Sequence, residues 1–314
     1  RFGVQVPVGP QMSSHSYIHN SKNENIYINI NGELFSRDKA KISVFDSGFL
    51  LGDGVWEGIR LHKSKLVFIS EHLDRLFNSA RGISLNIPLS KDKIILEIEK
   101  VLLKNDMTDD VHIRLIVSRG DKITPYQNPN ANVGPINFVI IPEYKKTDPK
   151  IYENGIIIGR VSTIRPAENI LSTHYNTLSK LNCILASIEA NKLKYDEGIM
   201  NDPYGNISTC NSTNLFFIKK SKVWTSTGKF CLNGITRSKA IKVCHMNEIP
   251  CNETNFTFED IKDCEEAFVT GTFAGIIPVF KIEKHKLSSA NSNSLVNKIR
   301  ASYNQYINKY ISSK

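Results

Sequence analysis

The sequence predicts a two-domain fold of the α+β and α/β kind, and three observations predict it. Its 314 residues are about twice the usual domain length of roughly 150. Stretches with the two-residue alternation of strands are interleaved with stretches whose apolar residues recur every three or four positions, as on one face of a helix. A short segment, Glu143 to Glu153, mixes acidic residues with lysines around Pro149 and reads as a linker. The expected division is a disordered tail over residues 1–24, a small N-terminal α+β domain over 25–145 and a larger C-terminal domain over 150–314.

The tail is expected because its Pro, Gly, Ser, His and Asn residues show no apolar period. Ile26 to Ile30 then alternates, Asn31-Gly32 supplies a dipeptide that accepts positive φ, and Glu33-Leu34-Phe35 returns, which predicts a hairpin. Strands follow at Ile42 to Phe45, Val55 to Leu61 and Leu66 to Ile69, with glycines 48, 52 and 54 making a bend. Ser70 is placed to cap a helix carrying Leu73, Leu76 and Ala80, and Lys91 to Leu103 repeats the helical period. Strands at Val111 to Val117 and Ile136 to Ile141 complete the first unit.

The second unit opens with a strand at Ile156 to Val161 and a helix from Leu178 to Lys194. Strands at Glu197 to Met200, Thr213 to Ile218 and Lys222 to Thr225 precede a helix from Arg237 to Asn247 and a strand at Glu266 to Val269. A polar patch, Asn291 to Ser294, comes before a last helix.

Composition excludes several classes. A hydrophobic share of 40% and an aromatic share of 9% suit a packed core rather than a disordered chain. No apolar run nears the roughly 18 residues of a membrane span. The formal charge of +9 is carried by scattered lysines without an aromatic-interleaved stripe, which argues against nucleic acid and for attraction of small anionic substrates. The six cysteines form no CxxC pair and no His/Cys cluster at ligand spacing, so no metal is expected and a reducing, cytoplasmic location is the default. The chain begins at Arg1 rather than Met, which leaves targeting open. The four Asn-x-Ser/Thr triplets are discounted in so Asn-rich a chain.

Three places look built to hold a phosphate. Asn233-Gly234-Ile235-Thr236-Arg237 sets a glycine turn before a helix, so the free N–H groups of the helix start and the Thr236 hydroxyl can cradle an anion. Thr270 to Gly275 does the same after a strand, with small residues allowing close approach of the backbone. Arg75 can add a forked charge.

In this order the chain resembles the class IV aminotransferases, the fold-type IV pyridoxal phosphate enzymes that include branched-chain and D-amino acid aminotransferases and aminodeoxychorismate lyase. The resemblance covers Tyr27 to Val279. It rests on NGEL (Asn31 to Leu34), GDGVWEGIR (Gly52 to Arg60), EHLDRL (Glu71 to Leu76) and DEGIMNDPYGNIS (Asp196 to Ser208). NLF (Asn214 to Phe216), NGITR (Asn233 to Arg237) and EEAFVTGTFAGIIPV (Glu265 to Val279) complete it. It implies a pyridoxal 5'-phosphate cofactor held by Arg75, Ile235, Thr236 and Thr272, a substrate carboxylate near Arg114, and a homodimer.

Two positions depart from the family pattern. The family's Schiff-base lysine falls on Asn176, which cannot form an imine, and the nearest lysine is Lys180, four residues on and so on the same face of any helix already begun there. Where most members set a glutamate against the pyridine nitrogen stands Thr209, which weakens the electron sink. The expected function is transfer of an amino group between a small amino acid, branched-chain substrates among them, and an α-keto acid, with Lys180 as the amine. The alternatives are a lyase of the aminodeoxychorismate type and a non-catalytic homologue that keeps the cofactor cup.

Overall fold

The computed structural model describes residues 14–313. Two sheets carry the architecture. The first has six strands, running from edge to edge Glu33–Ser36, Tyr27–Ile30, Asn137–Tyr144, Val111–Ser118, Gly54–His62 and Lys65–Val67, all antiparallel. The hairpin at its edge turns through Asn31 (φ 54) and Gly32 (φ 90), the left-handed pair that a two-residue hairpin loop requires.

Helices Ile69–Gly82 and Lys91–Lys104 cover this sheet. Their inward residues Leu73, Leu76, Ile94 and Ile98 are fully buried with Ile59, Ile113, Leu115 and Ile140 of the strands. Each such side chain contributes about 1.5 to 3 kcal/mol by leaving water, so the helical period read from the sequence is what holds the layer down. The cap of the first helix differs from expectation. The helix starts at Ile69, not after Ser70, because Phe68 takes a left-handed φ of 54° and tucks its ring against Tyr306 and Tyr310.

The strand expected at Ile42 to Phe45 is absent. Asp46 accepts from the Phe49 amide at 3.0 Å and starts a one-turn helix, Ser47–Leu51, which Gly52 ends at φ 69.

The second sheet has nine strands. Its main path runs Ile207–Cys210, Glu197–Asn201, Ile156–Arg160, Gly275–Ile282, Glu266–Gly271, Asn214–Lys219, Lys222–Thr225 and Cys251–Glu253, with His285–Lys286 paired to Gly275–Ile282. Parallel pairs join Ile156–Arg160 to both of its neighbours. Helix Ile235–Met246 and the last helix, Leu295–Ser312, pack on the sheet through Ala240, Val243, Cys244, Val296 and Ile299. Ile207–Cys210 and Gly275–Ile282 were not anticipated from sequence, since Gly, Pro and polar residues mask their alternation.

The tail expected over residues 1–24 falls outside the described residues up to 13. From there on it packs on the body: Tyr17–Ile18 pairs with Lys146–Thr147, and Asn20 caps a 3-10 turn over Ser21–Asn25. Asn23 holds it by exchanging two hydrogen bonds with the Tyr144 backbone, at 2.9 and 2.8 Å. Among the described residues, no helix is long and apolar enough to cross a membrane.

The helix expected from Leu178 begins only at Leu181. The preceding residues are extended, because they complete a strand of the other unit. Lys65–Val67 pairs only with Arg60–His62, which leaves one edge of Gly54–Trp56 open. That edge is filled by residues 176–178: the Trp56 amide donates to the Asn176 carbonyl and the Leu178 amide to the Gly54 carbonyl, both at 2.9 Å.

Candidate functional site

A cavity of about 400 Å³ lies between the two sheets. Arg75, Arg114, Asn176 and Lys180 line it, and so do Thr209, Ile235, Thr236 and Thr272. All eight residues singled out from the sequence therefore face one space, although they lie on seven separate segments of the chain.

At one end sits an anion cradle. Helix Ile235–Met246 has Gly234 at its N-cap and no side chain capping it, so its first amides are open toward the cavity. A Cβ at Gly234 would come within 2.4 Å of Asn214 Oδ1, so a larger residue there would displace the Asn214 side chain. Asn214 braces the loop by donating to the Leu232 carbonyl at 3.0 Å. Behind the cup, Arg237 donates to the Ser226 carbonyl and to Glu253 at 2.6 and 2.7 Å and takes no place in the lining.

Arg75 arrives from helix Ile69–Gly82. Its Nε and Nη2 both donate to Glu57 at 2.8 Å, and its Nη1 donates to the Asn233 carbonyl at 3.2 Å. Glu57 is fully buried and also meets His72 Nδ1 at 2.7 Å. Burial alone would push this carboxyl up, but Arg75 and His72 beside it hold it below the ordinary carboxylate range. The pair fixes the guanidinium in place with one edge toward the cradle.

Asn176 is buried, at 1% exposure. Its amide N–H donates to Ser79 Oγ at 3.0 Å and its Nδ2 to the Trp56 carbonyl at 2.7 Å, while Oδ1 is buried in the lining without a partner. Lys180 is not one helical turn from Asn176, as the sequence suggested, because the extended strand-like run separates them; it caps helix Leu181–Lys192 and reaches the cavity from there. Its Nζ lies 5.6 Å from the centre of the Trp56 ring. Burial, with Arg165, Arg75 and Arg114 around it and only Cys183 opposing, pushes the Lys180 ammonium down to about 8.

Arg114 also lies over the Trp56 ring, with its guanidinium carbon 3.7 Å from the ring centroid. Trp56 is itself pinned by its indole N–H, which donates to the Thr177 carbonyl at 3.1 Å. Thr209 is buried and its hydroxyl donates to the Thr213 carbonyl at 2.7 Å. With its proton committed there, the oxygen can only accept from a ligand.

Sequence reasoning missed Trp56 as the platform shared by Arg114 and Lys180, and missed Arg165, which also lines the cavity. The Trp lies inside a quoted motif and was findable; Arg165, an arginine before a proline in a loop, carries no signal in its spacing. Among the described residues, no group of three or more His, Cys, Asp or Glu side chains is arranged to hold a metal ion.

Comparison with known proteins supplies an independent line. The family profile described as amino-transferase class IV matches residues 54–282. Branched-chain-amino-acid aminotransferase-like protein 2 of Arabidopsis thaliana is 34% identical over 278 residues, covering 87% of this chain and 49% of that protein. The chain thus spans about half the length of this relative. A putative branched-chain-amino-acid aminotransferase of Methanocaldococcus jannaschii is 32% identical over 90% of this chain and 97% of its own. A D-alanine aminotransferase of Listeria monocytogenes is 29% identical over 86% of this chain and 92% of its own. Among solved structures, a branched-chain amino acid aminotransferase from Escherichia coli superimposes with a TM-score of 0.79 at 27% identity, over 88% of this chain and 92% of that one. A branched-chain aminotransferase from Thermoproteus uzoniensis, solved with norvaline, reaches 0.81 at 24% identity over 90% and 95%, a likeness of fold.

Proposed function

Since the chain belongs to the class IV aminotransferases and has their fold, we propose that it is a pyridoxal phosphate-dependent aminotransferase acting on a small amino acid and an α-keto acid, with branched-chain amino acids in its range. The observation that carries this reading is the convergence of the uncapped helix start at Ile235, the hydroxyls of Thr236 and Thr272, and the Glu57-braced Arg75 on one end of the cavity that also holds Lys180. The donor set fits a phosphate ester: open amides, two hydroxyls and a fixed guanidinium present hydrogen-bond donors and no acid. The orphaned Asn176 Oδ1 on the wall gives a polar group of the ligand a place to donate.

Bound there, pyridoxal phosphate would supply the aldehyde that captures the amino group and the ring that spreads the electrons freed at the α-carbon. The chain's own residues do the rest. Arg75 and the helix start hold the phosphate. Lys180, whose amine is partly neutral near pH 8, takes a proton at Nζ and returns it. Thr209, whose hydroxyl proton is committed to the Thr213 carbonyl, would offer a ring nitrogen an acceptor without negative charge, and so would strengthen the electron sink less than a carboxylate would. Arg114 takes a substrate carboxylate over the Trp56 face.

The test is borohydride reduction of the cofactor-loaded protein followed by peptide mapping. The expected result is the cofactor's added mass on Lys180. Label on a distant lysine would show that Lys180 is not the amine. A second reading, a non-catalytic protein that keeps the cofactor cup, is favoured by Asn176 at the family lysine's position with its amide tied to Trp56; bound cofactor that leaves no label anywhere would establish it.

We further infer a homodimer in the cytoplasm, with all six thiols free. Leu181, Ile184, Leu185 and Ile188 recur at helical spacing on one face of helix Leu181–Lys192 and remain 45 to 66% exposed. An apolar stripe of this kind suits an interface between copies.

A further inference from the structure

The cavity lining contains no Asp or Glu, yet a carboxyl stands directly behind the segment from Thr209 to Asn214. Glu197 opens the strand Glu197–Asn201 and is 1% exposed. Among the described residues, no Lys, Arg or His forms an ion pair with it. Its partners are hydroxyls. Thr213 donates to Oε2 at 2.6 Å and Ser212 to Oε1 at 2.8 Å, and Ser14, itself buried, adds a third from the N-terminal segment. The titratable groups beside it are Asp196, the preceding residue, and Cys210 on the paired strand, and neither can supply a positive charge. Burial pushes the Glu197 carboxyl up, and the hydroxyls of Ser14, Thr213 and Ser212 pull it back. The 2.6 Å bond has the length at which a hydroxyl meets a charged carboxylate oxygen, shorter than the roughly 2.7 to 2.8 Å usual between neutral oxygens.

A short chain of hydrogen bonds ties this carboxylate to the cavity wall. Thr213, which gives its hydroxyl to Glu197, offers its carbonyl to the Thr209 hydroxyl at 2.7 Å and to the Cys210 amide at 3.0 Å. Asn211 fastens the same turn to the strand of Glu197: its amide donates to the Gly198 carbonyl at 3.0 Å, and its Oδ1 accepts from the Gly198 amide at 2.7 Å. Thr209, Asn211, Ser212 and Thr213 all line the cavity. Two hydrogen bonds through one residue, Thr213, therefore separate the buried charge from the Thr209 oxygen. A buried carboxylate that lacks a cation is costly. That cost falls when a positive charge settles on the wall in front of it.

We propose that Glu197 is the counter-charge for a protonated pyridine ring bound at Thr209, acting through Thr213 rather than by contact. This rests on the aminotransferase reading and on the resemblance that assigns Thr209 to the ring nitrogen. Glu197 is a positioning residue, since it touches neither cofactor nor substrate. By holding the Thr213 hydroxyl it fixes the carbonyl that takes the Thr209 proton, so the Thr209 oxygen faces the cavity as an acceptor. Its charge favours a ring N–H over a bare ring nitrogen. The acid absent from position 209 is thus present one layer deeper.

The test titrates the purified protein with pyridoxal phosphate and with its carbocyclic analogue, in which a C–H replaces the ring nitrogen and no ring charge can form. The parent protein should bind pyridoxal phosphate about tenfold or more tightly than the analogue. Glu197→Gln keeps the shape of the side chain and should bring the two within about twofold of each other by weakening pyridoxal phosphate alone. A merely structural role would weaken both alike. Glu197→Asp should keep part of the preference. If Glu197→Gln does not fold, Thr213→Val, which cuts the link and leaves the carboxylate, gives the same comparison. Equal binding of both compounds by the parent, or a preference that persists in Glu197→Gln, would overturn the proposal and leave the aminotransferase reading standing. Binding of neither compound would sink that reading, and the proposal with it.

Discussion

The side-chain amide of Asn176 donates to the carbonyl of Trp56 at 2.7 Å, while the backbone of the same two residues is joined by the Trp56 amide donating to the Asn176 carbonyl at 2.9 Å. One residue of the second unit therefore satisfies both polar groups of a strand residue in the first.

Asn176→Lys should restore attachment of the cofactor at position 176. The substitution removes the donor to the Trp56 carbonyl, at a cost of about 1 kcal/mol, but puts an amine on the cavity wall at the position that the resemblance to the family assigns to its lysine. Borohydride reduction and peptide mapping of this variant should find the added mass on residue 176. Cofactor bound without attachment would show that the position does not face the reacting carbon.

Arg75→Ala should weaken pyridoxal phosphate binding by about 1 to 3 kcal/mol, the range for a charge-assisted hydrogen bond, and should also lower the melting temperature because it strands Glu57. Adding Glu57→Gln to Arg75→Ala separates the two effects, because the double variant leaves no carboxylate buried without its partner. A sign follows for acid. The Glu57 carboxyl is held below its ordinary value, so its contribution to stability is complete above about pH 4.3, the unfolded value, and fades as pH falls through the lower folded value. Melting curves taken down to about pH 3 should fall more steeply for the parent than for Glu57→Gln.

Lys180 should be the most reactive lysine of the chain in mild alkali. Its amine becomes neutral as pH rises through about 8, whereas exposed lysines wait until about 10.4. Mapped acylation should therefore show half-maximal labelling of Lys180 near pH 8, and saturation with pyridoxal phosphate should suppress it. A profile like that of surface lysines would place the side chain in water.

Thr209→Glu should speed any proton-transfer step of the half-reaction, because a carboxylate favours the protonated ring. It should also cost about 1 to 3 kcal/mol of stability through loss of the hydroxyl's bond to Thr213 and burial of a charge. Stopped-flow half-reactions and a denaturation curve read the two effects separately. Unchanged or slower proton transfer would mean that Thr209 does not face the ring nitrogen.

Charge at the exposed apolar stripe should dissociate the protein. Ile184→Glu combined with Leu181→Glu puts two carboxylates on the face proposed as the interface. Sedimentation should then report a single chain where the parent reports two. An unchanged mass would move the interface elsewhere.

What was legible in the sequence was what local chemistry dictates. Asn31-Gly32 demanded its turn, the spacing of Leu73, Leu76 and Ala80 demanded a helix with one dry face, and a glycine before Ile235 and Thr236 marked an open helix start. What escaped was decided by partners distant along the chain. Leu178 could not start a helix because an unfinished strand edge at Gly54 claimed its amide. Ile42 to Phe45 lost its strand to the cap at Asp46. Arg165 looks like any loop arginine until Phe230, Asn182 and Cys183 close around one side of it.

The run from Asn176 to Leu178 finishes a strand that belongs to the other half of the molecule, and this binds the halves on either side of Pro149 directly to one another. Expressed as two pieces divided near that proline, the first would present a bare edge at Gly54 to Trp56, and the second would carry the segment that covers it. Each piece is the other's missing ligand, so the severed halves should find one another and reassemble. The pocket, having walls from both, would come into being only with their union.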